Sequence, residues 1–296
     1  MMIPCNDIRQ AFEKHLKLQV QELKQRGITP YLVTILAEDS PEQLSFVEIK
    51  RKIAEKIGAK FEFVHFTKPP SFEKFAGILK KYASDPKVTG IIIQQPLPMC
   101  LQTDSIYNYI SLSKEIEGHK AKSTFLPPLG LAVLTAMKYV YLTSDQHDHE
   151  IFDMKKDGIE LRKAVKGKNI VIAGRGATGG KFIARALSLL NIPFLNVSSQ
   201  TPEPEAYYKE ADIIITATGK KILSPEYLKP GVVLLNVGLR KQGEKLTGDF
   251  DESEIKNIAA FYNKTPGGLG PIDVLYLYQN LIDATCMQNV HTTTSH

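Results

Sequence analysis

Three groups of residues have the types and spacing that chemistry requires. The first centres on Lys50, in PEQLSFVEIKRKIAEKIG (41–58). At about 100° per residue, Phe46, Val47, Ile53, Ala54 and Ile57 share one arc of a helix. Glu48, Arg51, Lys52, Glu55 and Lys56 lie mostly opposite, but Lys50 falls inside the apolar arc, one turn after Phe46. A lysine placed there is partly desolvated, which disfavours the ammonium and makes a neutral, proton-accepting amine accessible. The competing reading is a snorkelling lysine whose stem covers apolar surface while its head reaches water. The second group is Gly174, Gly176 and Gly179, a G-x-G-x-x-G between an apolar run and a helical one. Such glycines allow a tight turn, bring backbone N–H groups close to a pyrophosphate and set it at a helix N-terminus. The third group sits at segment ends. Gln94, Gln95, Pro96 and Leu97 follow an apolar run, Glu115, Glu117 and Gly118 lie in SKEIEGHK, and Gly267, Gly268 and Gly270 stand between Pro266 and Pro271. The glycine-rich turn lets backbone approach a flat ligand, although a stiff helix entry alone would explain Pro271.

The elements that must position these groups alternate along the chain. A helix over 7–26 leads to a strand at 30–36. A helix at 41–57 follows, begun by Ser40 as N-cap and Pro41 in the first turn. Then come a strand at 61–66, a helix at 72–83 and a strand at 89–94, and a helix at 129–142 follows a Pro-Pro pair. A second series has strands at 169–174, 193–198, 212–218, 232–238 and 257–262, with helices near 179–190 and 203–210 and a last helix from 271 to about 288. Alternation of this kind predicts βαβ units and parallel sheets, hence an α/β protein. Residues 143–166 are polar with little periodicity and read as an interdomain region, with His147 and His149 in a solvated loop rather than a metal site.

The 296 residues suffice for two domains, and the net charge of +5 is interspersed rather than blocked, so nucleic acid is not implied. Three distant cysteines suggest neither disulfides nor zinc; a reduced, cytoplasmic setting is expected. No signal-peptide pattern and no membrane-spanning run is visible. At the end of the second strand of the glycine-loop series, where NAD sites usually place an acid, stand Ser198, Ser199 and Gln200. With no carboxylate to repel a 2′-phosphate, and with Arg175 beside the first glycine, NADP is favoured over NAD.

Taken in order, SFVEIKRK (45–52), GIIIQQPLP (90–98), KEIEG (114–118), GKNIVIAGRG (167–176), SSQT (198–201), LKPGVVLLNVG (228–238), LTGDFD (246–251) and TPGGLGPID (265–273) resemble the methylenetetrahydrofolate dehydrogenase/methenyltetrahydrofolate cyclohydrolase family. The resemblance spans almost the whole chain, and QPLP with PGGLGP is its most specific part. It implies an N-terminal α/β domain with a parallel sheet, a Rossmann-type dinucleotide-binding domain, and a cleft between them. The expected domains are 1–142, completed by 271–296, for folate and catalysis, and 143–270 for NADP. The last helix returns to the first domain, and a homodimer is expected.

By position, Lys50 matches the family's catalytic lysine and Gln94 the glutamine that holds it, with Glu117 the third catalytic candidate. Phe46, Gln94, Pro96, Leu97, Glu117, Gly267, Gly268, Pro271 and Asp273 are the expected substrate contacts. Gly174, Arg175, Gly176, Thr178, Gly179, Ser198, Ser199, Thr218 and Gly238 are the expected coenzyme contacts. No metal is implied. The departures cluster at the site. Phe46 replaces the usual tyrosine, Glu117 the usual aspartate on the pteridine, and Asp273 the usual threonine. Phe125, Leu126, Pro127 and Pro128 replace a P-C-T-P run, and 143–166 is longer than usual. The expected activity is NADP-dependent oxidation of 5,10-methylenetetrahydrofolate in one-carbon metabolism, followed by hydrolysis to 10-formyltetrahydrofolate. The alternatives are a dehydrogenase of the same fold specialised for one step or for a modified pterin, and a non-catalytic NADP-binding regulatory protein.

Overall fold

The structure, a computed structural model, describes residues 1–143, 151–176, 178–243 and 245–290; His147 and His149 lie outside the described residues. The chain runs α1 (Cys5–Gln25), β1 (Tyr31–Leu36), α2 (Pro41–Ile57), β2 (Lys60–His65), α3 (Phe72–Ser84), β3 (Gly90–Ile93) and α4 (Pro128–Tyr141). It continues through α5 (Met154–Ala164), β4 (Ile170–Ala173), α6 (Gly180–Leu189), β5 (Leu195–Val197), α7 (Pro204–Glu210), β6 (Ile213–Thr216) and β7 (Val233–Asn236). A short hairpin of β8 (Arg240–Gln242) and β9 (Lys245–Thr247), then α8 (Glu252–Ile255), β10 (Phe261–Tyr262) and α9 (Leu269–Val290), complete it. Among the described residues no helix is long and apolar enough to cross a membrane.

Two compact units result. One comprises Glu13–Pro128 and the chain from Val274 onward. Its sheet is parallel, in the order β2-β1-β3, with Tyr31 opposite Lys60 and Leu32 opposite Gly90. All six residues of β1 and all four of β3 are buried, because helices cover a parallel sheet on both faces. Tyr31, Val33, Ile35, Ile91 and Ile93 meet Phe75 and Leu79 of α3 on one face. On the other face α9 comes so close that a Cβ at Gly90 would lie 2.6 Å from Leu281.

The other unit comprises Met1–Phe12 and Leu129–Asp273. Its five parallel strands run β10-β7-β6-β4-β5, a doubly wound order in which the direction of winding reverses between β4 and β6. The division therefore falls at Leu129 rather than at 142, and the first twelve residues join this unit. The reasons are local. The Ile3 amide donates to Tyr262 O at 2.8 Å, extending the sheet beyond β10. Helix α4 crosses α6 so closely that a Cβ at Gly130 would stand 2.5 Å from that of Ala186.

Residues 143–166 are not all loop. Asp153 caps α5 by accepting from the amides of Lys155 and Lys156, and a buried Lys138–Asp157 ion pair at 3.0 Å joins α5 to α4. At 257–262 only Phe261 and Tyr262 form a strand.

Candidate active site

In the three-stranded unit the site begins with the capping of α2. Ser40 accepts from the Gln43 amide, Pro41 occupies the first turn, and Gly58 at φ +85° closes the last turn onto Ala54 O. This fixes a 17-residue helix whose buried stripe is Gln43, Val47, Lys50, Ile53, Ala54 and Ile57. Lys50 is 9% exposed, and its Nζ donates to Gln94 Oε1 at 2.8 Å. That geometry rules out the snorkelling arrangement, in which the head would stand in water.

Gln94 follows β3, with its amide bonded to Ile35 O, so the last rung of the sheet sets its backbone. From the other side the buried Tyr278 hydroxyl of α9 donates to Lys50 O at 2.6 Å; burial pushes this phenol well up, so it stays a donor.

The next residues form a turn with a cis Gln95–Pro96 peptide. Gln43 Nε2 donates to Pro96 O, tying this turn to α2, and Gln95 Oε1 accepts from the Leu97 amide. Lys50, Gln94, Pro96 and Leu97 are thus brought together. Glu117 sits in a loop anchored by Glu115, whose carboxylate accepts from the amides of Glu117, His119 and Lys120.

Phe46 differs from the helical-wheel expectation. It shares the azimuth of Ile53 and Ile57 yet is 43% exposed. The wheel gives the angle around the axis but not how far along it the covering elements extend. The result is an open aromatic face one turn before the lysine.

In the five-stranded unit the site is made of backbone. Gly174, at φ +117°, ends β4, and a Cβ there would stand 2.6 Å from Ala217 O. A Cβ at Gly180, the first residue of α6, would overlap the carbonyl of Gly174. The glycine that allows close strand–helix approach is therefore Gly180, which the G-x-G-x-x-G spacing passes over, with Gly179 as the cap residue before α6. Among the described residues beyond its chain neighbours, no heavy atom stands within 4 Å of a Cβ built on Gly176. Gly176 and Thr178 are exposed in the turn. Arg175 Nη2 donates to Asn196 O at 2.8 Å, holding the side chain against the end of β5. There Ser198, Ser199, Gln200 and Thr201 form a turn, with Thr201 N bonded to Ser198 O.

At the carboxyl ends of β6 and β7, Asp249 accepts from Thr218 N at 2.8 Å and Thr218 Oγ1 at 2.9 Å. A Cβ at Gly238 would collide with the same carboxylate. Burial holds the Asp249 carboxyl above its ordinary range. Asn236 donates to Gly238 O and Thr265 Oγ1, accepts from Thr216 Oγ1 and Asp249 N, and is bracketed by Asn263. This buried network joins the Thr218 and Gly238 loops to the glycine-rich turn that carries Gly267 and Gly268. Within it a Cβ at Gly268 would collide with Lys264 O. Pro271 and Asp273 lie in the first turns of α9. Asp249 and Asn236 lie in LTGDFD and LLNVG with no motif to single them out, because a buried polar hub declares itself only once its partners are assembled.

Among the described residues no group of three or more His, Cys, Asp or Glu side chains is placed to hold a metal ion. The coenzyme-binding edge fits a dinucleotide on two counts. Gly174 and Gly180 leave no room for side chains, and Gly176 presents open backbone beside the start of α6.

Comparison with known proteins gives one result across the chain. Residues 3–117 match the tetrahydrofolate dehydrogenase/cyclohydrolase catalytic domain, and residues 155–289 match the NAD(P)-binding domain of the same family. A Bacillus licheniformis protein named bifunctional protein FolD is 31% identical over 280 residues, covering 90% of each chain. The Bacillus subtilis protein of that name is 30% identical over 271 residues, covering 91% of this chain and 92% of its own. The crystal structure of the bifunctional methylenetetrahydrofolate dehydrogenase/cyclohydrolase FolD from Campylobacter jejuni superposes with a TM-score of 0.85 at 25% identity, over 97% of this chain and 99% of that one. A buried lysine–glutamine pair in one unit and a glycine-lined dinucleotide edge in the other are thus carried by a chain that belongs to the tetrahydrofolate dehydrogenase/cyclohydrolase family.

Proposed function

We propose that this protein oxidises 5,10-methylenetetrahydrofolate with NADP+ and hydrolyses the resulting methenyl cation to 10-formyltetrahydrofolate. The observation that carries the proposal is the buried Lys50–Gln94 pair. NADP+ bound along Gly174, Arg175, Gly176, Thr178, Gly179, Ser198, Ser199, Thr218 and Gly238 supplies the hydride acceptor. For that step the chain contributes orientation and exclusion of water.

In the second step Lys50 takes a proton from the water adding at the one-carbon bridge and returns it to the ring nitrogen as that nitrogen's bond to the carbon breaks, while the remaining hydroxyl proton passes to solvent as the formyl carbonyl forms. Gln94 aims the amine through its Oε1. Because the methenyl group is a cation, the neutral form of the lysine is favoured beside it. Acid–base assistance of this kind contributes about 10²–10⁴-fold. Phe46 stacks on the substrate, Pro96 and Leu97 shape its pocket, and Glu117 holds the pteridine. Gly267, Gly268, Pro271 and Asp273 complete the contacts. The working form is a cytoplasmic homodimer, a reading supported by the family resemblance.

NADP is preferred over NAD because no carboxylate follows β5, where Ser198, Ser199 and Gln200 stand, and Arg175 is held against that strand end. Phe46 favours one second reading, a member specialised for the dehydrogenase step, because it lacks a hydroxyl. A purely regulatory NADP-binding protein would not need the lysine–glutamine pair.

The test is NADPH formation from tetrahydrofolate, formaldehyde and NADP+, run beside NAD+ and beside a modified pterin. The proposal requires turnover with the folate and preference for NADP+. Coenzyme binding without turnover on any pterin would refute it.

A further inference from the structure

The segment carrying Glu117 is held rigidly from beneath. The buried Lys114 ammonium donates to Ala83 O at 2.8 Å and Asp85 O at 2.6 Å, at the end of α3. The Glu115 carboxylate accepts from the loop amides of Glu117, His119 and Lys120. Gly118 turns the chain at φ +75°, where a Cβ would stand 2.9 Å from Phe125 O. These contacts fix backbone. They leave the Glu117 side chain with three torsions still to settle, and an unsettled carboxylate recognises a flat ring poorly.

The group that meets it is His119. Its Nε2 lies 3.6 Å from Glu117 Oε2, with both side chains largely buried. That distance is a close contact rather than a formed hydrogen bond. The imidazole in turn stacks on Tyr107, with ring centroids 4.4 Å apart and planes 20° from parallel. The Tyr107 hydroxyl accepts from Gln95 Nε2 at 2.8 Å, and Gln95 Oε1 accepts from the Leu97 amide at 3.1 Å. One imidazole therefore bridges the Glu117 carboxylate and the turn containing Pro96 and Leu97.

We propose that His119 is a positioning residue for substrate specificity: it sets the Glu117 carboxylate against the amino-pyrimidine edge of a pterin and locks it in register with the 95–97 turn. The proposal rests on the assignment of Glu117 to the pteridine made above. His119 does no chemistry itself; its effect is on binding.

The test is steady-state kinetics of the full chain with methylenetetrahydrofolate and NADP+, combined with a double-mutant cycle. His119→Phe keeps the stack on Tyr107 and removes Nε2. It should raise KM for the folate about three- to tenfold, with kcat, KM for NADP+ and melting temperature unchanged. His119→Gln keeps an N–H donor near the carboxylate and should restore most of the lost affinity. In a Glu117→Gln background the His119→Phe change should have no further effect on KM, because the two residues act as one unit. A wild-type KM in His119→Phe, or equal KM changes with and without the Glu117 carboxylate, would overturn this proposal alone. No turnover by the wild-type protein with the folate would overturn the functional assignment and this proposal with it.

Discussion

The two units, the two halves of this comparison, build their own candidate sites from different materials. In the three-stranded unit the chemistry depends on side chains: the Lys50 amine bonded to the Gln94 amide, and the Glu117 carboxylate carried on a loop that Glu115 anchors. In the five-stranded unit it depends on the absence of side chains. Gly174 and Gly180 bring strand and helix together, Gly238 admits the Asp249 carboxylate, and Gly268 lies against Lys264 O. Side-chain machinery can be removed by substitution while the fold stays intact. Backbone machinery at a packed glycine cannot, because its groups are the fold. The first half should fail in activity, the second in coenzyme binding, with stability lost as well wherever the glycine is packed.

Gly180→Ala should break the backbone half most severely. Its Cβ would overlap the Gly174 carbonyl, so strand and helix must part. The expected cost is about 1–3 kcal/mol in thermal or denaturant unfolding, with NADP binding lost in the same variant. Gly176→Ala sharpens the contrast. Among the described residues beyond its chain neighbours nothing stands within 4 Å of that Cβ, so stability should hold while the methyl group blocks the face offered to a pyrophosphate. NADP affinity measured by titration should fall about tenfold at unchanged melting temperature. Equal destabilisation of both variants would contradict the distinction between the two glycines.

A smaller effect is expected from Asp249, the charged group inside the backbone half. Burial raises its folded-state pKa above the ordinary 3.8. The carboxyl therefore favours folding most while protonated, and that contribution is lost as pH rises from about 3.8 through the raised folded value. Asp249→Asn removes this slope but keeps an oxygen acceptor for Thr218. Relative to wild type, the melting temperature of the variant should improve steadily as pH rises from acid toward neutrality. A pH-independent difference between the two would show that burial does not raise the carboxyl's pKa in the folded state.

Smallest of all should be Phe46→Tyr in the side-chain half. Phe46 is 43% exposed, so stability should change by less than about 0.5 kcal/mol. If the missing hydroxyl limits the hydrolytic step, the variant should hydrolyse methenyltetrahydrofolate a few-fold faster with dehydrogenase activity unchanged. An unaltered ratio of the two activities would show that the aromatic face alone matters.

The same contrast explains what was readable in the sequence. Buried parallel strands are continuous apolar runs, so β1, β3, β4, β6 and β7 stood out, as did the caps of α2 at Ser40 and Pro41. The amine on the buried face of α2 followed from periodicity alone. Helix α5 was hidden because its sequence, MKKDGIELRKA, buries little besides Leu161 and relies on an Asp153 cap and on the Lys138–Asp157 pair. The exposure of Phe46 was hidden because periodicity carries no information about distance along the axis. Gly180 was masked by a motif spacing that Gly179 satisfies equally well. The Asn236–Asn263–Asp249 network was illegible because its members come from separate strand ends, and only the parallel sheet brings them to one edge. The division at Leu129 is illegible in the sequence for a similar reason: the pairing of Ile3 with Tyr262 is a contact between the two ends of a unit.

The central claim is that the Lys50 amine, held by Gln94, moves the protons of the hydrolytic step. Its most direct test is the hydrolysis of preformed methenyltetrahydrofolate, followed by absorbance, in wild type and Lys50→Met, with NADP binding measured on both. The account predicts a loss of about 10²–10⁴-fold in hydrolysis, with NADP affinity unchanged and the fold intact. Hydrolysis at the wild-type rate in Lys50→Met would contradict it.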